Sequence, residues 1–67
     1  MSELIRLVNG EIESIILDKD FELFYIREDE VDNKEEVGFY TNKIIGDDID
    51  QQKISDKDAF ILLANKL

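Results

Sequence analysis

Carboxylates are the one kind of reactive side chain this sequence supplies in quantity. Asp and Glu number 17 against 8 Lys and Arg, and the chain has no His and no Cys. Without His, the commonest general base and metal ligand is missing; without Cys, thiolate chemistry, thiolate-bound zinc and disulfides go with it. A carboxylate working as an acid or base needs a partly buried cleft that raises its pKa. Runs such as Glu28-Asp29-Glu30 and Asp47-Asp48-Ile49-Asp50 instead describe solvated groups. The hydroxyls Ser2, Ser14, Thr41 and Ser55 have no His to activate them.

Calcium is the obvious ligand to test against so many acids. An EF-hand loop wants oxygen ligands at positions 1, 3 and 5, Gly at 6 and a bidentate acid at 12. Counted from Asp18, position 6 is Leu23; counted from Asp48, position 6 is Lys53 and position 12 is Ala59. Neither frame works. The three glycines are isolated, so no phosphate-cradling loop is encoded either. The expectation is a protein with no catalytic residues, no metal and no cofactor.

What remains is surface. A net charge of −9 on 67 residues opposes direct contact with nucleic acid or anionic membrane and favours a partner with a basic surface. Acid concentrates at 28–36 and 47–50, which makes Glu28, Asp29, Glu30, Asp32, Glu35 and Glu36 the expected partner-binding residues, followed by Asp47, Asp48 and Asp50. Carboxylates on a small scaffold can imitate phosphates, which follow one another every 3.4 Å on each strand of duplex DNA. In size and charge the chain is similar to small acidic phage proteins that inhibit DNA-handling enzymes. That likeness is one of composition and rests on no motif.

These residues need elements to hold them. A chain this short forms one domain, 1–67, and buries only about 60% of its unfolded surface. Asn9-Gly10 between apolar residues has the form of a type I′ hairpin turn. It predicts pairing of Val8 with Glu11, Leu7 with Ile12, Arg6 with Glu13 and Ile5 with Ser14. A helix is the rival, since Leu4, Ile5, Val8, Ile12, Ile15 and Ile16 also fit helical spacing, with Ser2 as cap. Phe21 to Ile26 reads as a strand. A two-residue turn before it would place Phe21, Leu23 and Tyr25 on one face with Ile12 and Ile16. The opposite face would then gather Leu4, Ile15, Leu17, Phe24 and Ile26, a surface suited to self-association.

Residues 28–36 are expected to be an acidic loop, Val37 to Thr41 a fourth strand, with Asn42 to Ile45 either extending it or forming a short edge, and 46–52 a second acidic loop. A carboxy-terminal helix follows, capped by Ser55, with Phe60, Leu63, Ala64 and Leu67 as its apolar stripe, widened by Ala59 and Leu62. No apolar run approaches the ~20 residues that span a bilayer, and the amino terminus lacks a basic leader. The fold expected is α+β: a small antiparallel β-meander of three to five strands, with its hairpin at Asn9-Gly10 and a helix packed on one face. The function expected is a cytoplasmic, non-enzymatic protein–protein interaction module, homodimeric. It would be a phage or mobile-element inhibitor that mimics nucleic acid. The alternative is a virion or complex component that assembles through the apolar sheet face.

Overall fold

The computed structural model describes residues 2–66. Four strands form one antiparallel sheet in the order of the chain: β1 (Ile15–Asp18), β2 (Phe21–Ile26), β3 (Gly38–Ile45) and β4 (Asp48–Ile54). A short helix, α1 (Ser2–Val8), precedes the sheet and α2 (Asp56–Lys66) follows it. Both helices lie on the same face, closing over a core of Leu7, Ile15, Leu23, Phe39, Ala59 and Leu63. The meander with a carboxy-terminal helix is therefore as expected.

The hairpin at Asn9-Gly10 is not there. A type I′ turn needs φ > 0 at both central residues, but only Gly10 has it, at +80°. Gly10 instead ends α1 as a Schellman motif. The Glu11 N–H donates to the Arg6 carbonyl at 2.8 Å and the Gly10 N–H to the Leu7 carbonyl at 3.2 Å. Arg6 Nε sits 3.7 Å from a Glu11 carboxylate oxygen, tying together the two residues that the motif brings close. Glycine suits this position because of its positive φ; the Arg27 guanidinium that packs over it is the mobile end of a half-exposed side chain. The side chain of Ser2, the cap in the helical alternative, lies outside the described residues.

The face assignment in β1 also changes. A plain two-residue turn at Lys19-Asp20 would set Ile16 opposite Leu23. The turn is present, with Asp18 opposite Phe21, but a register shift between Ile16 and Asp18 puts Ile16 opposite Glu22 and Ile15 opposite Leu23. One extra residue in a strand sends its side chains to opposite faces. Ile15 is therefore 3% exposed and Ile16 57% exposed.

The stretch 46–52 is a tight turn at Gly46-Asp47 followed by most of β4, rather than a loop. Ile45 pairs with Asp48 across Gly46-Asp47, and of those two only Gly46 has positive φ (+62°), the pattern of a type II′ turn. In α2, Ser55 Oγ accepts from the Asp58 N–H at 3.1 Å, the expected cap. The buried stripe of that helix is rotated from the expected one: Ala59 and Leu63 are buried, while Phe60 and Ala64 are exposed. Leu67, the last member of the expected stripe, lies outside the described residues.

Candidate functional site

Three surfaces could engage something else: the acidic segments, the open face of the sheet, and a groove between β4 and α2. The acidic segments do not form one site. Residues 27–37 join the end of β2 to the start of β3, whereas Asp47, Asp48 and Asp50 lie at the tip where β3 turns into β4. The length of β3, eight residues, separates them, roughly 24 Å at ~3.4 Å per residue.

The first segment is more structured than like-charge repulsion suggests. It holds two 3-10 turns, Glu28–Glu30 and Lys34–Glu36. A Glu30 carboxylate oxygen accepts from the Arg27 N–H at 3.1 Å, and Asn33 Oδ1 accepts from the Glu35 N–H at 3.0 Å. Tyr40, from β3, donates its hydroxyl to the Glu36 carbonyl at 2.7 Å. Arg27 Nε lies 3.5 Å from Asp29 and 3.4 Å from Glu30, and Lys34 Nζ lies 3.7 Å from Glu28. Three of the six expected partner-binding acids therefore already face a cation. Among the described residues, Asp32, Glu35 and Glu36 have no ion pair, and no group of three or more acids is gathered as a metal would require.

The self-association set breaks up in the same way. Ile15 is in the core, and Leu4 and Leu17 pack against it. Phe24 and Ile26 are the two that remain on the outer face. The register shift in β1 and the helical form of residues 2–8 are the reasons. A different apolar row takes the open face.

Both helices cover the side of the sheet that carries Leu23, so the residues between the buried ones are left uncovered. Phe24 and Tyr40, cross-strand neighbours, stack with ring centroids 5.5 Å apart. Ile44 and Ile49 pair across β3 and β4 and are 50% and 65% exposed. With Ile16, Glu22 and Asn42 they line a shallow hollow of about 180 Å³, whose near end is the Asp18-Lys19-Asp20 turn. At its floor, Asn42 Nδ2 donates to a Glu22 carboxylate oxygen at 3.3 Å, and Asn42 Oδ1 is buried with no hydrogen-bond partner among the described residues.

On the helical side, α2 leaves part of β4 uncovered. A groove of about 420 Å³ opens there between β4 and α2, lined by Phe21, Thr41, Lys43, Asp50, Gln52, Ile54, Asp58, Ile61 and Leu62. The sequence reading missed both this groove and the isoleucine row. Gly46-Asp47 after Ile44-Ile45 was the available signal, because a two-residue turn there aligns Ile44 with Ile49, the one apolar residue among the polar residues 48–53, and leaves Asp50 on the helical side.

No protein-family model, no curated protein and no solved structure matches this chain. Among the described residues, no helix is long and apolar enough to cross a membrane.

Proposed function

We propose that this protein is a non-enzymatic interaction module that binds another protein, one with a basic rim around an apolar centre, through the open face of its sheet. The observation that carries this reading is the placement of both helices on one side of the sheet. It leaves Ile16, Phe24, Tyr40, Ile44 and Ile49 together on the other. Phe24 with Tyr40 and Ile16 with Ile44 and Ile49 flank a polar row of Glu22, Asn42 and Gln51 on that face, and exposed apolar area of this kind marks a contact surface. Charge supports the choice of occupant: a −9 chain attracts a basic protein and repels its own copy.

The nucleic-acid-mimic reading places the contact instead on Asp32, Glu35 and Glu36 and on the Asp47–Asp50 tip. The two are told apart by capture from a host lysate with the wild type and two variants, followed by identification of the retained protein. Ile44→Asp with Ile49→Asp should lower capture at least tenfold. Reversal of Asp32, Glu35 and Glu36 to Lys should weaken it a few-fold, chiefly at low salt, where exposed charges reach about 10 Å. The opposite ranking, with a nucleic-acid-binding protein as the one lost, would replace the open face with the acidic ends. Capture of only the protein's own copies would point to the assembly role.

A further inference from the structure

We infer that β4 is a docking edge: it accepts, as a fifth strand, an extended segment of the partner whose side chains alternate between cationic and apolar. This rests on the reading above that the partner is a basic protein, and it adds where and in what conformation that protein binds.

The two edges of the sheet differ. β1 is four residues long and its pairing is interrupted by a register shift, two of the ways in which sheets blunt an edge. β4 has neither protection. It runs for seven residues in unbroken register with β3, from Asp48 opposite Ile45 to Ile54 opposite Phe39, and contains no proline. Residues 48–53 are all exposed. The backbone N–H and C=O groups that do not face β3 form a ready template for another strand.

Side chains on either side of β4 say what that strand should carry. Asp48, Asp50 and Gln52 point to the helical side, and Ile49, Gln51 and Lys53 to the open face, as their pairing with Ile45, Lys43, Thr41, Ile44, Asn42 and Tyr40 shows. An added strand lies about 4.8 Å away with its side chains alternating in the same manner. Those on the helical side would meet Asp48 and Asp50 and reach over the groove between β4 and α2. That groove has Ile61 and Leu62 on its α2 wall and the carboxylates of Asp50 and Asp58, against the single cation Lys43. A lysine or arginine suits it: the methylenes lie along Ile61 and Leu62 while the charged head reaches the acids. On the open face, an apolar side chain would sit beside Ile49, extending the row already there. A second copy is a poorer occupant, because it would bring its own Asp48 and Asp50 to the same edge and a further charge of −9.

The test titrates the full-length, isotope-labelled protein with three blocked nine-residue peptides: one alternating Lys and Val, one with Glu in place of each Lys, and one with Pro in place of each Val. The Lys–Val peptide should bind at least tenfold tighter than the other two and slow amide exchange at Ile49 to Lys53 at least tenfold. Asp50→Asn combined with Asp58→Asn, both exposed positions, should weaken that binding about tenfold. Equal binding of the proline peptide would mean that charge alone is read, and the inference falls. Binding felt only at Ile16, Phe24 and Ile44 would also overturn it while leaving the open-face reading intact. No binding at millimolar peptide, or β4 protection that grows with protein concentration alone, would overturn it as well; the latter would make the second copy the occupant. Loss of the open-face reading shows separately, in capture that survives Ile44→Asp with Ile49→Asp.

Discussion

The two faces of this sheet are built from the same kinds of residue and put to opposite uses. Under the helices lie Ile15, Leu23, Phe39 and Thr41, all buried. On the open side, one residue further along the same strands, lie Ile16, Phe24, Tyr40 and Asn42. Hydrophobicity does not separate the two sets, since isoleucine and phenylalanine occur in both. What separates them is which side the helices close over, and the register shift in β1 that decides which of two adjacent isoleucines faces that side. Apolar content in a small domain thus has two readings, core and contact surface, and strand phase chooses between them.

Substitutions can break or sharpen this contrast. The largest effect is expected at Leu23, which is fully enclosed at 0% exposure. Leu23→Ala should cost about 4 kcal/mol in urea denaturation, close to the whole stability of a domain this size. Next comes the Ile15 and Ile16 pair, the sharpest probe of the contrast. Ile15→Ala should cost about 3 kcal/mol and Ile16→Ala less than about 1. Equal costs would mean that the register shift is wrong and that the faces are not distinct as described. Smaller again is Gly10→Ala, which forces a Cβ into a left-handed residue at the end of α1. About 2 kcal/mol is expected from the melting shift, because α1 is one of the two elements that cover the sheet.

The antiparallel meander, the strands β2 and β3 and the carboxy-terminal helix were legible because each rests on a local signal: the aromatic run Phe21 to Ile26, the apolar residues from Val37, and Ser55 ahead of an apolar period; β4 was not, because its residues are mostly polar. Asn9-Gly10 was legible as a reversal of the chain and misread as to kind. A glycine with positive φ serves a type I′ turn and a helix C-terminus equally well, and only the Arg6–Glu11 closure decides. The shift in β1 leaves no mark in residue type, so Ile15 and Ile16 could not be sorted. Among the candidate site residues, the acids at 28–36 and 47–50 are exposed as expected. Their grouping depends on the length of β3, a property of the sheet rather than of either segment. The caps at Arg27 and Asn33 explain why a run of like charges is still held in turns: each secures the backbone of its turn, and Arg27 also lies against the carboxylates of Asp29 and Glu30.

The strand order repeats the order of the chain, and that has a consequence for how the molecule assembles in time. Every pairing in the sheet joins neighbours in sequence, and the β1–β2 and β3–β4 connections are two residues long. Closing such short loops sacrifices little chain entropy, and proteins rich in near-sequence contacts cross their folding barrier quickly. The β3–β4 hairpin can zip from Gly46-Asp47 within about 1–10 μs, and β2 can then be added along β3 without a search through distant pairings. The sheet can therefore be complete before α1 and α2 settle onto it. A sheet completed in that order would have two open faces until the helices dock and turn one of them into an interior.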